Sequence, residues 1–136
     1  MTDYEGSGEV IFAVESNEVV LDFEIALDSP ISEIIGTEDA ARVVSIELHD
    51  GEVVAAIDCD CTLAYSDISG KEVTKSHTAS VECRIEVPGA LASHSIAGHF
   101  LDFIEEINDV KDEGHIWHHG LHLRIAVGVA REQPYI

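Results

Sequence analysis

The stretch that decides the fold is RVVSIELHDGEVVAAIDCDCTLAY, residues 42–65. Its centre is Asp50-Gly51, a pair of residues that both tolerate positive φ, as a two-residue hairpin turn requires. The flanking runs, 42–49 and 52–66, are rich in apolar residues, and the second alternates with acidic ones. This pattern predicts a β-hairpin with one buried face. In the second arm that face comprises Val53, Ala55, Ile57, Cys59, Cys61, Leu63 and Tyr65.

Three further segments alternate between apolar and polar residues with the period of a strand. The N-terminal segment predicts a second hairpin, with strands at 9–15 and 18–27 and a turn at Ser16-Asn17. The other two segments predict single strands at 77–87 and 120–130.

The remaining segments break this alternation. Residues 28–41 predict a connection with a short helical turn, and the polar residues 67–76 predict a loop. Residues 91–110 have apolar residues at helical spacing and acidic residues between them, which predicts an amphipathic helix. Its apolar stripe comprises Ile96, Phe100, Phe103, Ile104, Ile107 and Val110.

These elements predict a single domain, 1–136, of the α+β class. About six strands form a predominantly antiparallel sheet, which could also curl into a sandwich or an open barrel. The amphipathic helix at 91–110 packs on that sheet and completes a second layer.

The charge balance is the most unusual feature of the composition. The chain has 27 Asp and Glu residues against 7 Lys and Arg residues, which gives a formal net charge of −20. The acids are spread along a sequence that is 46% hydrophobic, so they do not form a disordered acidic tail. The Debye length falls from about 8 Å at about 0.15 M salt to about 3 Å at about 1 M. High salt therefore weakens the repulsion between so many charges. We therefore predict a halophilic source.

The candidate metal ligands are the histidines His115, His118, His119 and His122, which surround Trp117. Clustered imidazoles can bind Zn, Ni or Cu, but a site also needs convergent geometry. His94 and His99 lie five residues apart and do not share a helix face. The sequence favours exposed or interface histidines over a metal site, and it predicts no cofactor.

The cysteines form no recognisable motif. Cys59 and Cys61 share a strand face, and Cys83 could lie nearly opposite Cys59, so a three-thiolate metal site is imaginable. The Cys-x-x-Cys spacing of redox and zinc motifs is absent, however, and three small core residues are the simpler interpretation.

Several function classes lack the residues they need. The sequence has no Gly-rich phosphate loop and no Gly-x-Ser-x-Gly elbow, so we identify no catalytic residues. Seven dispersed cations form no patch for DNA, so sequence-specific nucleic-acid binding is not expected. The sequence has no run of about 18 apolar residues and no signal peptide at its start, so we expect no membrane association and a virion or cytoplasmic location.

These observations favour a non-enzymatic structural or assembly subunit that forms a homo-oligomer or binds other proteins. A ring or tube component of a virion tail or neck is the example we expect. Two alternatives stay open: a small enzyme or metal-binding domain that uses residues 94–122, and an acidic module that binds a protein partner.

Overall fold

A computed structural model describes the backbone of residues 6–135 and the side chains of residues 8–133. Two antiparallel three-stranded sheets, in the orders β1-β6-β5 and β2-β3-β4, face each other across a shared core. The strands are β1 (Gly6–Ala26), β2 (Ile31–His49), β3 (Glu52–Asp67), β4 (Glu72–Glu86), β5 (Ser95–Lys111) and β6 (Ile116–Tyr135). The β-rich character predicted from the sequence is confirmed, and the six strands form two antiparallel sheets.

The hairpin predicted at Asp50-Gly51 is confirmed. His49 pairs with Glu52, and Gly51 has the positive φ of 82° that this turn needs. Farther along the hairpin the β2–β3 register shifts between Val43 and Ser45, where Val44 is an extra residue on β2. Such a bulge reverses which β2 residues face the core beyond it.

The core lies between the two central strands, β3 and β6. Both strands are flanked on each side, so their inward-facing side chains are almost completely buried. The inward row of β3 is the one that the sequence predicts. The inward row of β6 is Trp117, His119, Leu121, Leu123, Ile125, Val127 and Val129.

The two sheets meet differently along their two sides. On one side, β1 lies close to β4, and the side-chain amide of Asn17 donates a hydrogen bond to the carbonyl of Arg84 at 2.8 Å. On the other side, β2 and β5 pack less closely against each other. This second side is where the sandwich is open.

A tight turn between β5 and β6 is built from residues 112–114. Asp112 and Glu113 both have φ of 53°, and Gly114 has φ of 92°. A Cβ on Gly114 would lie 2.6 Å from the carbonyl oxygen of Ile31. Glycine is therefore required here both for its backbone conformation and for the close approach of β2.

The predicted helix at 91–110 is wrong, and with it the α+β class: the fold is all-β, and its one helical element among residues 6–135 is the 3-10 turn Asp112–Gly114. Residues 95–111 form β5, which pairs along its length with β6. The stripe that suggested a helix consists of Ile, Phe and Val, which are strand formers. β6 also needs a partner on this side to satisfy its backbone groups, and β5 provides it.

Three other boundaries differ from the prediction. The hairpin at 9–15 and 18–27 is one continuous strand, β1, because β6 is long enough to pair with all of it. The connection at 28–41 is mostly part of β2, which reaches β3 through two additional bulges. The polar loop at 67–76 is shorter than predicted, since β4 begins at Glu72.

Within residues 6–135 no helix has the length and the apolar character needed to cross a membrane.

Candidate functional site

A polar cluster lies inside the sandwich near its open side, where apolar side chains would be expected. Asp39 of β2 faces the core because the bulge at Val44 sets its register opposite Cys61 of β3. Its side chain is only 6% exposed. A carboxylate this deeply buried needs partners, because an isolated charge in a core is costly.

The first partner of Asp39 belongs to the opposite sheet. His119 of β6 is fully buried, and its Nε2 lies 2.8 Å from Oδ1 of Asp39. The imidazole is enclosed by the rings of Phe23 and Trp117, with centroid distances of 5.5 Å and 4.9 Å. Asp39 and His119 therefore join the two sheets through a polar contact in apolar surroundings.

The other nitrogen of His119 has a fixed role. His119 Nδ1 lies 2.6 Å from Oδ1 of Asn108, and the indole N–H of Trp117 donates to the same oxygen at 3.0 Å. An amide oxygen only accepts, so Nδ1 of His119 carries a proton and donates it. The Nε2 atom faces Asp39, and it is the ring nitrogen left to bind a cation.

A second carboxylate approaches from β5. Glu106 Oε1 accepts hydrogen bonds from the amide of Asn108 at 2.7 Å and from the hydroxyl of Thr37 at 2.5 Å. Partial burial alone would raise the pKa of Glu106, but these hydrogen bonds and the nearby His119 outweigh it, and the pKa lies below its usual range. Glu106 is therefore held as a carboxylate beside the buried pair.

Two thiols border the cluster on its β3 side. Cys61 donates a hydrogen bond to Cys59, with 3.6 Å between the sulfur atoms. Burial raises the pKa of both thiols, and the nearby carboxylate of Asp39 also raises it. Both cysteines are free and buried.

The third cysteine is not part of this group. Cys83 pairs with Ala55, while Ala79 occupies the position opposite Cys59, so the idea that Cys83 lies opposite Cys59 is wrong. Burial raises the pKa of the Cys83 thiol. The β3–β4 register therefore leaves Cys59 and Cys61 as a pair within the core.

Solvent reaches the cluster through the open side of the sandwich. A cleft of about 260 Å³ between β2 and β5 is lined by Asp39, Phe103, Ile104, Glu105 and Glu106. Asp39 and Glu106 thus face both the cleft and the buried interior. A small ion or molecule could reach the two carboxylates without unfolding of either sheet.

The four histidines that the sequence singles out do not converge. His118 and His122 lie on the outer face of β6, where they pair with Asp22 at 2.6 Å and Glu18 at 3.0 Å. His115 lies in the turn before β6. Only His119 points inward, because alternate residues of a strand face opposite sides.

Sequence reasoning missed Asp39 and Asn108, and it assigned Glu106 to the solvated acidic surface. Asp39 falls in a segment that is predicted as a connection, and the other two fall in the predicted helix. Each is one acid or amide in a chain with 27 acidic residues, so residue type carries no signal. The register of β2 on β3 and of β5 on β6 is what brings them together.

The arrangement combines one imidazole, two carboxylates and two thiols, with Asp39 at the centre. The donor atoms of Asp39, Glu106 and His119 all lie within 4.8 Å of one another, and the same holds for Asp39, Cys59 and Cys61. Each buried polar side-chain atom of the described residues has a hydrogen-bond partner. Comparison with protein-family models, curated proteins and solved structures finds no significant match.

Proposed function

We propose that the protein is a non-enzymatic structural or assembly subunit that associates with copies of itself through strand β5. One observation carries the proposal. β5 is a 17-residue strand at the edge of its sheet, and it exposes large apolar side chains along its length. They are Phe100, Phe103, Ile104, Ile107 and Val110, with 37–63% of each exposed.

An edge of this kind favours pairing with another strand. Its outer backbone groups are available to a partner, because β5 pairs only with β6 among the described residues. Natural edge strands are usually short, bulged or covered, whereas β5 is long and has apolar residues on both faces. It does have bulges at Ala97 and Ile104, but the segments 98–103 and 105–111 pair regularly with β6.

A groove next to β5 supports the same conclusion. It has a volume of about 210 Å³ and lies on the outer face of the β1-β6-β5 sheet. Its floor consists of Ala126 and Gly128, and its walls include Ile11, Val14 and Phe100, each more than half exposed. Contiguous exposed apolar surface of this kind is typical of protein interfaces.

A second copy of the chain is the partner that best fits β5. Two β5 strands that pair antiparallel about a two-fold axis match in length and in apolar character, as an isologous interface requires. Such pairing also brings the acids of the two strands near each other, among them Asp102, Glu105 and Asp109. We therefore expect association to strengthen in molar salt, in agreement with the predicted halophilic source.

The size of the assembly distinguishes two forms of this proposal. Two-fold pairing of β5 alone closes as a dimer. A ring or tube, such as a component of a virion tail or neck, needs a second contact between different surfaces of neighbouring copies.

Light scattering after size exclusion, in about 2 M KCl, tests the proposal. We expect a dimer or a larger species for the wild type. The double variant Phe100→Glu/Ile107→Glu changes two exposed side chains of β5 and should be monomeric. The control is Ile68→Glu, in the β3–β4 turn, where the isoleucine is 74% exposed and does not belong to β5. A monomeric wild type, or a double variant with the mass of the wild type, contradicts the proposal.

A further inference from the structure

We propose that Asp39, Glu106 and His119 form a binding site for a divalent transition-metal ion of the zinc class. Their donor atoms lie within 4.8 Å of one another, on three different strands. One imidazole and two carboxylates are a donor set that suits Zn²⁺ and neighbouring first-row ions. Two carboxylates and a neutral imidazole also balance the charge of a divalent ion.

The orientation of His119 is the strongest support. A metal-ligating histidine usually donates its second N–H to a fixed acceptor, which sets the tautomer and the ring direction. Here Nδ1 of His119 donates to Asn108, whose oxygen is also held by the indole N–H of Trp117. Nε2 of His119 therefore faces Asp39, and an ion that binds there would replace the proton shared by these two side chains.

The carboxylates are supported in the same way. Glu106 accepts hydrogen bonds from Thr37 and Asn108 through one oxygen, Oε1, which leaves its second oxygen for an ion. Asn108 thus orients both Glu106 and His119. A network in which one amide positions two ligands is what a preformed site requires.

Asp39 and His119 need only a small rearrangement to admit the ion. Two ligands at 2.0–2.1 Å from a tetrahedral zinc ion lie about 3.3 Å apart. Asp39 Oδ1 and His119 Nε2 are separated by 2.8 Å, so the carboxylate must move by about half an ångström. The cleft lined by Phe103 and Ile104 leads to the two carboxylates from solvent. It leaves the fourth coordination position open to water, as in sites with three protein ligands.

The competing donor set is Asp39 with Cys59 and Cys61. Their sulfur separation of 3.6 Å would also suit one ion. These thiols lie in the inward row of β3 and are fully buried, and they do not line the cleft. The set with His119 has both a route from solvent and hydrogen-bonded partners that orient its ligands, so it is the one we propose.

The first experiment titrates the whole chain with metal. Protein treated with EDTA is transferred to about 1 M KCl, where screening weakens binding of ions to the acidic surface. Calorimetry with ZnCl₂ should show one ion per chain and a higher melting temperature. Titration with CoCl₂ should give weak d–d absorption without the intense near-ultraviolet band of a thiolate ligand. Absence of stoichiometric Zn²⁺ binding would overturn the proposal.

Variants then locate the site. Glu106 is an exposed residue, so Glu106→Gln should fold while it lowers Zn²⁺ affinity at least tenfold. Asp39→Asn and His119→Gln should also lower the Zn²⁺ affinity, and circular dichroism checks that they fold. If they do not fold, the result for Glu106→Gln decides. The matched control is His118→Gln, at the residue before His119 but on the outer face of β6. This variant should bind Zn²⁺ with the affinity of the wild type.

The cysteine variants separate the two donor sets. Cys59→Ala/Cys61→Ala should keep its Zn²⁺ affinity. Loss of binding in this variant, together with a thiolate band in the Co²⁺ spectrum of the wild type, would assign the ion to the thiols and overturn the proposal. Unchanged affinity in Glu106→Gln would also overturn it.

Discussion

Asp39 and His119 come from opposite sheets, and their side chains meet in the core with 2.8 Å between Oδ1 and Nε2. They are the only buried polar contact between the sheets that involves both a carboxylate and an imidazole within the described residues. The rings of Phe23 and Trp117 enclose His119, and Asn108 accepts a hydrogen bond from its Nδ1. The stability of the sandwich and its candidate chemistry therefore depend on the same two side chains.

We predict that His119→Ala destabilises the fold strongly. The substitution leaves Asp39 buried without its partner and removes the hydrogen bond that Nδ1 of His119 donates to Asn108. Loss of one member of a buried pair costs about 3–5 kcal/mol in free energy of unfolding. Urea denaturation in molar KCl measures it. His122→Ala, on the outer face with Glu18, is the control and should cost about 1 kcal/mol or less. Equal costs for the two variants would contradict the prediction.

Gly114→Ala should destabilise the turn between β5 and β6. The left-handed backbone alone costs an alanine about 1–2 kcal/mol. The new Cβ would also lie 2.6 Å from the backbone of Ile31, and such overlap adds about 1–3 kcal/mol. The matched control is Gly70→Ala, with a similar φ of 82° and no atom within 4 Å of the added Cβ. Thermal unfolding of both variants should show the larger loss for Gly114→Ala, and the reverse order would refute this account.

The turn after β3 should make stability sensitive to acid through Asp67. The Ser69 hydroxyl and the backbone N–H groups of Ser69 and Lys71 all donate to Oδ1 of Asp67. The Ser69 hydrogen bond is the largest cause that lowers the pKa of Asp67, and the backbone N–H groups add to it. Because the pKa is lower in the folded chain, this contribution is complete above the unfolded value of about 3.9 and disappears as the pH falls through the folded value.

Melting temperatures of the wild type and Asp67→Asn against pH test this prediction. The wild type should be more stable at neutral pH, and the two curves should converge in acid. Glu33→Gln changes an exposed position of β2 and is the control. Its melting temperature should differ from that of the wild type by the same amount at every pH. A constant difference in melting temperature between the wild type and Asp67→Asn at all pH values would contradict the prediction. It would show that the contribution of these hydrogen bonds does not depend on the charge of Asp67.

The fold should require salt. With a formal net charge of −20 on 136 residues, repulsion is strong at about 0.1 M KCl and nearly screened at about 2 M. We expect a clear rise in melting temperature between these concentrations. A sodium sulfate series at matched ionic strength shows how much of the rise comes from strengthened burial. Equal melting temperatures in low and high KCl would contradict a halophilic origin.

The sequence predicts those parts of the fold that local chemistry controls. Asp50-Gly51 identifies its own turn, and the alternation along β3 and β6 identifies the buried faces. β5 could not be predicted in this way, because its apolar residues match a helical period by coincidence and only the length of β6 makes it a strand. Asn17 indicated a turn, but it lies within β1 and donates its amide hydrogen bond to Arg84 on β4.

The candidate site could not be predicted either, because it depends on the register of β2 on β3. Counted from the Asp50-Gly51 turn without interruption, Ala40 and not Asp39 would lie opposite Cys61. The bulge at Val44 moves the register by one residue and turns Asp39 into the core. Nothing in the residues around Val44 distinguishes the bulge from regular strand. His119 was identified as a candidate, but its partners came from segments whose secondary structure was predicted incorrectly.

The pairing of β1 with β6 also determines the order in which the chain can fold. Strands β2, β3 and β4 are joined by short turns, so this sheet can form from neighbouring segments. β1 can pair with β6 only late in folding, because all the other strands separate the two in sequence; Leu21, for example, pairs with Leu121. Closing so long a loop is slow. In pulsed hydrogen exchange during refolding, we expect amide protection in β3 before β1, with the docking of the first strand on the last as the step that sets the rate.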